Sequence, residues 1–133
     1  MIFLKGAESM ENEELMYFDK MPNMLPLYLV LKEKLEGRYP ATEIKAAKIQ
    51  ISFRNRYVFM SVSLPYRRDK DWPKEYLLLS LGLGYRKQSE RVAMAVEAYP
   101  NRWTHHVLVT KEEDIDEELL SLIDEAYEFA VSK

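Results

Sequence analysis

The spacing of apolar residues changes along the chain from a helical period to a strand period. Asn23 is a favourable helix cap, and Pro26 suits the first helical turn, where a missing N–H costs nothing. From there to Gly37 the apolar side chains recur about every 3.6 residues, which predicts an amphipathic helix. Lys32 and Glu36 lie on its predicted solvent face. The predicted buried face carries Leu27, Val30, Leu31, Lys34 and Leu35.

From residue 48 the apolar and polar side chains alternate with a period of two, which is typical of a strand with one buried face. This pattern predicts strands over residues 48–53 and 57–64, joined by a hairpin at Asn55. The almost continuous apolar run over residues 76–83 predicts a central strand. Two further strands are predicted over residues 92–98 and 104–110, with a turn at Pro100 and Asn101 between them.

Two possible starts compete for the last helix. Thr110 with Glu113 fits a capping box, whereas Asp116 as the cap would place Ile115 and Leu120 in hydrophobic-staple positions. The segment that follows carries one apolar stripe at helical spacing, made of Leu119, Leu120, Ile123, Ala126, Tyr127 and Ala130.

These elements predict one α+β domain over residues 1–133. The short connections favour antiparallel neighbours, because a parallel crossover needs about a dozen residues or more. We therefore expect a five-stranded, mostly antiparallel sheet with the N-terminal and C-terminal helices packed on one face. The other face is expected to offer a mixed surface for a shallow pocket or a partner, made of Gln50, Ser52, Tyr57, Phe59 and Ser61.

Composition narrows the classes of function. The chain has no cysteine, which excludes disulfides, thiolate catalysis and cysteine-ligated zinc. No apolar run approaches the ~18 residues that span a bilayer, and Lys5 interrupts the short apolar start. We therefore expect a cytoplasmic protein with no membrane span and no signal peptide. No phosphate-cradling glycine loop is present, and we expect neither a cofactor nor a bound metal.

Charge is distributed unevenly along the chain, although the net charge is only −3. Residues 48–110 contain 11 basic and 5 acidic side chains, whereas residues 111–133 contain 2 basic and 9 acidic ones. Two interpretations remain open: the middle segment binds a polyanion, or the acidic final segment lies beside it and neutralises it.

The basic residues of the middle segment are interleaved with aromatic ones. Arginine grips phosphate or carboxylate through paired N–H groups, and an aromatic ring can stack on a base or cover a small ligand. This pattern predicts a non-catalytic binding module for an anionic ligand or nucleic acid. Its predicted contacts are Arg54, Tyr57, Arg67, Arg68, Arg86, Arg102, Trp103 and His105.

The neighbouring histidines invite a metal site, but adjacent strand residues point to opposite faces, so one ion cannot bind both from a regular strand. Val107 and Val109 fit the core side, which places His105 on the core face and His106 nearer solvent. We expect His105 to be buried with a hydrogen-bond partner. Its alternative role is that of a base or anion-binding imidazolium near Arg102.

Two other functions fit parts of the sequence. Glu43-Ile44-Lys45 matches the short E-x-K element of metal-dependent nucleases, in which the carboxylate binds Mg²⁺ and the lysine stabilises charge on the phosphate. A protein-interaction module is the second alternative. The salt dependence of binding affinity separates this alternative from anion binding, because phosphate contacts release counterions and an apolar interface does not.

Five segments from about Phe18 onward are similar to segments of a known family: Leu25-Pro26-Leu27-Tyr28, Ile51-Ser52-Phe53-Arg54 with Asn55-Arg56, Arg102-Trp103-Thr104-His105-His106, Asp116-Glu117-Glu118-Leu119-Leu120 and Ala126-Tyr127-Glu128-Phe129-Ala130. In these segments the chain resembles a bacterial family of domains of unknown function. Related domains form the C-terminal part of chains labelled predicted transport proteins. The resemblance implies a small α+β domain with helices on an antiparallel sheet, and no established activity.

Overall fold

A computed structural model describes residues 12–65 and 71–133. The helices are α1 (Asn12–Tyr17), α2 (Leu25–Arg38) and α3 (Glu117–Val131), and 3₁₀ turns occupy Phe18–Lys20, Pro22–Met24 and Glu112–Asp114. The strands are β1 (Glu43–Ala46), β2 (Ile51–Asn55), β3 (Tyr57–Ser63), β4 (Leu77–Leu83), β5 (Met94–Tyr99) and β6 (Arg102–Val109). Within these ranges no helix has the length and apolar character needed to cross a bilayer.

All six strands form one antiparallel sheet in the order β1-β2-β3-β4-β6-β5. The α+β class and the antiparallel sheet are confirmed, but the expected number of five strands is wrong. The additional strand is β1, a short edge strand that carries two charged side chains and pairs with β2. Ile49 falls within the strand predicted over residues 48–53, but it lies in the turn between β1 and β2 and is 72% exposed.

One face of the sheet carries the core. In β4 the side chains of Leu77, Leu79 and Leu81 lie opposite Val109, Val107 and His105 of β6. These leucines and valines belong to one apolar cluster with residues of both α2 and α3. The predicted inward direction of Val107 and Val109 is therefore confirmed, and His105 shares that face at 1% exposure.

A bulge changes which face of the sheet Phe59 occupies. Phe53 pairs with Met60 and Arg54 pairs with Val58, so Phe59 is the extra residue between two regular pairs. Phe59 was expected on the helix-free face, but it is buried in the core against Tyr39. Simple alternation fails here because the bulge shifts the register by one residue.

The starts and faces of the long helices differ in part from the sequence pattern. Asn23 does not cap α2; it lies in the preceding 3₁₀ turn, and its side chain donates to Glu75 at 3.4 Å. Asp116 is the cap of α3 and accepts the N–H of Leu119 at 3.0 Å. Of the two competing starts, the structure therefore adopts the one at Asp116.

The predicted solvent face of α2 contains a buried cation. The Lys32 ammonium lies 3.1 Å from the carboxylate of Glu14 in α1, and Tyr28 donates a hydrogen bond to the same carboxylate. Both charged side chains are almost fully buried, whereas Lys34, expected on the buried face, is exposed. Burying a charge is costly unless it is paired, and Glu14 supplies the partner from a neighbouring helix.

Candidate anion-binding site

The acidic helix α3 neutralises part of the basic surface. Arg38 forms two hydrogen bonds with Asp124 at 2.9 and 2.8 Å. Lys87 lies 2.7 Å from Glu125, and Arg91 lies 2.8 Å from Asp116. The interpretation in which the acidic final segment screens the basic middle segment therefore holds for Lys87 and Arg91.

A second group of cations has no carboxylate partner within residues 12–65 and 71–133. It lies where the β2–β3 hairpin, the end of β4 and the start of β6 meet the last turn of α3. Three cations and two aromatic rings make up this group, which we call the hairpin-end cluster: Arg56, Tyr57, Arg102, Phe129 and Lys133.

The cations of the hairpin-end cluster lie over the faces of its two rings. The Lys133 ammonium is 4.9 Å from the centre of the Phe129 ring and 5.6 Å from that of Tyr57. The Arg102 guanidinium is 5.7 Å from the Phe129 ring, and that of Arg56 is 5.6 Å from the Tyr57 ring. Cation–π attraction therefore holds each ring against two positive charges.

Two tight turns and one glycine position these side chains. Arg56 at the hairpin tip and Asn101 before β6 have φ values of 63° and 66°. Arg54 donates from its guanidinium to the main-chain oxygen of Arg56 at 2.9 Å, which braces the hairpin tip. A Cβ on Gly82 would lie only 2.5 Å from the Arg102 guanidinium, so the missing side chain gives that group its place beside β4.

The electrostatics of the hairpin-end cluster are unbalanced. None of the ion pairs among the described residues involves Arg56, Arg102 or Lys133. Burial and, after it, the nearby positive charge of Arg102 lower the pKa of Lys133. Like charges are held close together here, and a bound anion would relieve their repulsion.

An open cleft adjoins the cluster on the side of α3. Its volume is about 530 Å³, and Leu83, Gly84 and Phe129 form its apolar part. Tyr85 and three carboxylates of α3 complete the lining. Two of these carboxylates are already engaged, since Asp124 pairs with Arg38 and Glu125 accepts hydrogen bonds from Lys87 and Tyr85.

Three of the predicted contact residues lie outside the hairpin-end cluster: Arg86 is in the segment that connects β4 to β5, and Trp103 and His105 are in β6. Arg86 lies 5.8 Å from the centre of the Trp103 ring. His105 accepts the main-chain N–H of Lys87 at its Nε2 atom, at 2.9 Å, as expected for a buried histidine with a partner. Burial lowers the pKa of His105 more than the nearby main-chain carbonyls of Leu81 and Trp103 raise it.

Of the eight predicted contact residues, the structure brings three to the hairpin end: Arg54, Tyr57 and Arg102. Arg67 and Arg68 lie outside the described residues. Phe129 and Lys133 were not predicted, and Arg56 was not among the predicted contacts. One sequence feature could have indicated part of this cluster: Phe129 is an aromatic residue that falls outside the apolar stripe of the last helix.

The structure also bears on the two alternatives, the metal-dependent nuclease and the protein-interaction module. Glu43 and Lys45 lie on the edge strand β1, and Glu43 is 3.8 Å from Arg54. Within residues 12–65 and 71–133, no group of three His, Asp or Glu side chains could hold a metal ion. Exposed apolar side chains include Leu15, Met16 and Ile49. Both alternatives stay predictions.

A family model described as "Domain of unknown function (DUF5655)" matches residues 14–130. This match confirms the expectation of an uncharacterised domain family. No curated protein and no solved structure shows significant similarity to the chain.

Proposed function

We propose that this chain, which belongs to the DUF5655 family of domains of unknown function, is a non-catalytic binding module. It binds a small anionic ligand at the hairpin-end cluster. The observation that carries the proposal is the convergence of three cations on two rings without a carboxylate partner among the described residues. Arg102 and Lys133 supply the charge, and Phe129 and Tyr57 supply the platform.

The chemistry of the cluster favours phosphate or carboxylate as the bound group. Arg102 presents a planar fork of N–H donors, whereas Lys133 presents a compact charge that can follow the anion. The aromatic rings restrict water on one side of the cations, which strengthens their attraction for an anion. Arg54 acts as a positioning residue because it holds the main chain of Arg56.

The size of the cluster favours a small anion over a long polymer. Lys133 lies over both rings, so the three charges occupy one compact site and do not follow a track along the surface. Glu128, next to Phe129 in the last turn of α3, is exposed, and its carboxylate would repel an extended polyanion. Nucleic acid remains the alternative ligand, and the relation to chains labelled predicted transport proteins remains an expectation from the resemblance.

Titration calorimetry with inorganic phosphate at about 0.1 M ionic strength, where the Debye length is about 10 Å, tests the proposal. The native protein is expected to bind phosphate at one site. The double variant Arg102→Gln/Lys133→Gln removes two of the three charges and is expected to weaken binding by about tenfold or more. A short single-stranded oligonucleotide serves as the second probe, because binding through several phosphates would give a steep dependence on salt.

The matched control is Lys34→Gln/Lys48→Gln, which changes the net charge equally at two exposed positions elsewhere. Its phosphate affinity is expected to stay within about twofold of the native value, since charges beyond a Debye length are screened. Equal weakening by both double variants would show that phosphate responds only to net charge. That result, or no binding by the native protein, would contradict the proposal.

A further inference from the structure

The hairpin-end cluster and the neighbouring cleft share one side chain. Phe129 lines the cleft, and the same ring lies under the Arg102 guanidinium and the Lys133 ammonium. The two cations are 5.7 and 4.9 Å from the ring centre. A ligand that touches both regions therefore needs its anionic group and its apolar group only a few bonds apart.

The cleft itself suits an apolar group. Leu83, Gly84 and Phe129 give it an apolar floor, and Tyr85 closes one side while half exposed. Gly84 is needed for this shape, because a Cβ there would lie 3.0 Å from the Phe129 ring. A volume of about 530 Å³ is within the range of small-ligand sites and accommodates a ring.

The charges around the cleft orient such a ligand. Asp124 and Glu125 are held by Arg38, Lys87 and Tyr85, and the Glu128 carboxylate is exposed at the rim. An anion inside the cleft would face these carboxylates. The favoured orientation therefore places the anionic group on Arg102 and Lys133 and the apolar group in the cleft.

We propose that the ligand is a phosphate monoester of an aromatic group, with the phosphate on Arg102 and Lys133 and the ring in the cleft between β4 and α3. This inference rests on the proposed function. Phosphate is favoured over carboxylate because three nearby cations match a dianion better than a monoanion. A flat ring is favoured because Phe129 and Tyr85 offer aromatic walls for stacking.

Titration calorimetry with three probes tests the class of ligand: inorganic phosphate, phenyl phosphate and benzoate. The native protein is expected to bind phenyl phosphate about tenfold more tightly than inorganic phosphate, because the ring leaves water. Benzoate is expected to bind more weakly than phenyl phosphate. In the Tyr85→Ala variant the advantage of phenyl phosphate should shrink to about twofold, while affinity for inorganic phosphate stays unchanged.

Leu29→Ala removes an exposed apolar side chain of α2 and serves as the control. This variant should still bind phenyl phosphate about tenfold more tightly than inorganic phosphate. Equal affinities of native protein for phenyl phosphate and inorganic phosphate would overturn this inference but leave the proposed function intact. Tighter binding of benzoate would overturn the choice of phosphate. If the native protein bound none of the three probes, the proposed function would fail as well. Unchanged phenyl phosphate binding in Arg102→Gln/Lys133→Gln would overturn the placement of the phosphate.

Discussion

At the scale of single residues, His105 and His106 are chemically alike but have different surroundings. His105 is 1% exposed on the core face, and its Nε2 atom accepts the N–H of Lys87. The proton of the neutral ring is therefore on Nδ1, which is buried without a hydrogen-bond partner in the described part of the chain. His106 lies on the opposite face, where its Nδ1 atom is 3.0 Å from the hydroxyl of Ser80.

Burial of His105 predicts a loss of stability at mildly acidic pH. Its pKa in the folded protein is below the ordinary value of 6.5, so the unfolded chain binds the proton more readily. The free energy of unfolding should therefore fall as pH decreases through about 6.5 toward the lower folded-state pKa, by at most about 1.4 kcal/mol per pH unit. Urea unfolding between pH 7.5 and 5 measures this slope.

His105→Gln should flatten the slope of stability against pH and cost about 1–3 kcal/mol at neutral pH, because the Lys87 N–H loses its acceptor. His106→Gln is the control and should keep the native slope. A native slope that persists in His105→Gln would assign the titration to another group.

A substitution at Gly82 is expected to change phosphate binding but not stability. An alanine Cβ there would displace the end of the flexible Arg102 side chain and would not clash with the main chain. Gly82→Ala should therefore leave the melting temperature almost unchanged but weaken phosphate binding several-fold. Gly37→Ala, at an exposed helical position, is the control. Nothing lies within 4 Å of the new Cβ, so the free energy of unfolding should rise by about 0.5–1 kcal/mol and phosphate binding should not change. Native phosphate affinity in Gly82→Ala would contradict the assigned role of Arg102.

Substitutions at the buried pair Glu14 and Lys32 are expected to have strongly non-additive effects on the free energy of unfolding. Lys32→Met leaves the Glu14 carboxylate buried without its cation and should cost about 3–5 kcal/mol. Glu14→Leu/Lys32→Met removes both charges and should be more stable than that single variant. Urea denaturation of the two variants measures the difference. A double variant that is less stable than Lys32→Met would contradict this expectation and show that Glu14 stabilises the fold without Lys32, through its hydrogen bond with Tyr28.

At the scale of elements, local patterns predicted the secondary structure best where one face of an element is buried. The alternating face of β6, with Val107 and Val109, and the stripe of α3 both meet the core, and both elements were predicted. β1 was missed because Glu43 and Lys45 make an exposed four-residue edge that resembles a loop in sequence. The burial of Lys32 was also missed, because its partner Glu14 comes from another helix and no periodicity within α2 encodes it.

The cap of α3 predicts which of two similar substitutions matters more. Asp116 accepts the Leu119 N–H and pairs with Arg91, whereas the Thr110 hydroxyl only donates to Asp114 in an exposed turn. Asp116→Ala should therefore lower the urea midpoint clearly more than Thr110→Ala, because it leaves a helix N–H without its acceptor. An equal shift of the two midpoints would contradict the assignment of Asp116 as the dominant cap.

At the scale of the whole molecule, the candidate site could be predicted only in part. Arg54 and Tyr57 are close in sequence, and their shared hairpin was predictable from the alternation around Asn55. Arg102 joins them only because β6 inserts between β4 and β5, and strand order is not encoded by any local pattern. Lys133 reaches the hairpin end because the length and direction of α3 bring the last turn of the helix there.

The insertion of β6 beside β4 also has a consequence for how the chain folds. Strands β1 to β4 form a meander of sequential neighbours, and β5 with β6 forms a separate hairpin. These two parts meet along seven residue pairs, from Leu77 with Val109 to Leu83 with Trp103. Closing a long loop has an entropic cost before its contacts form, so we expect the two parts to form first and their docking along this seam to be the slow step of refolding.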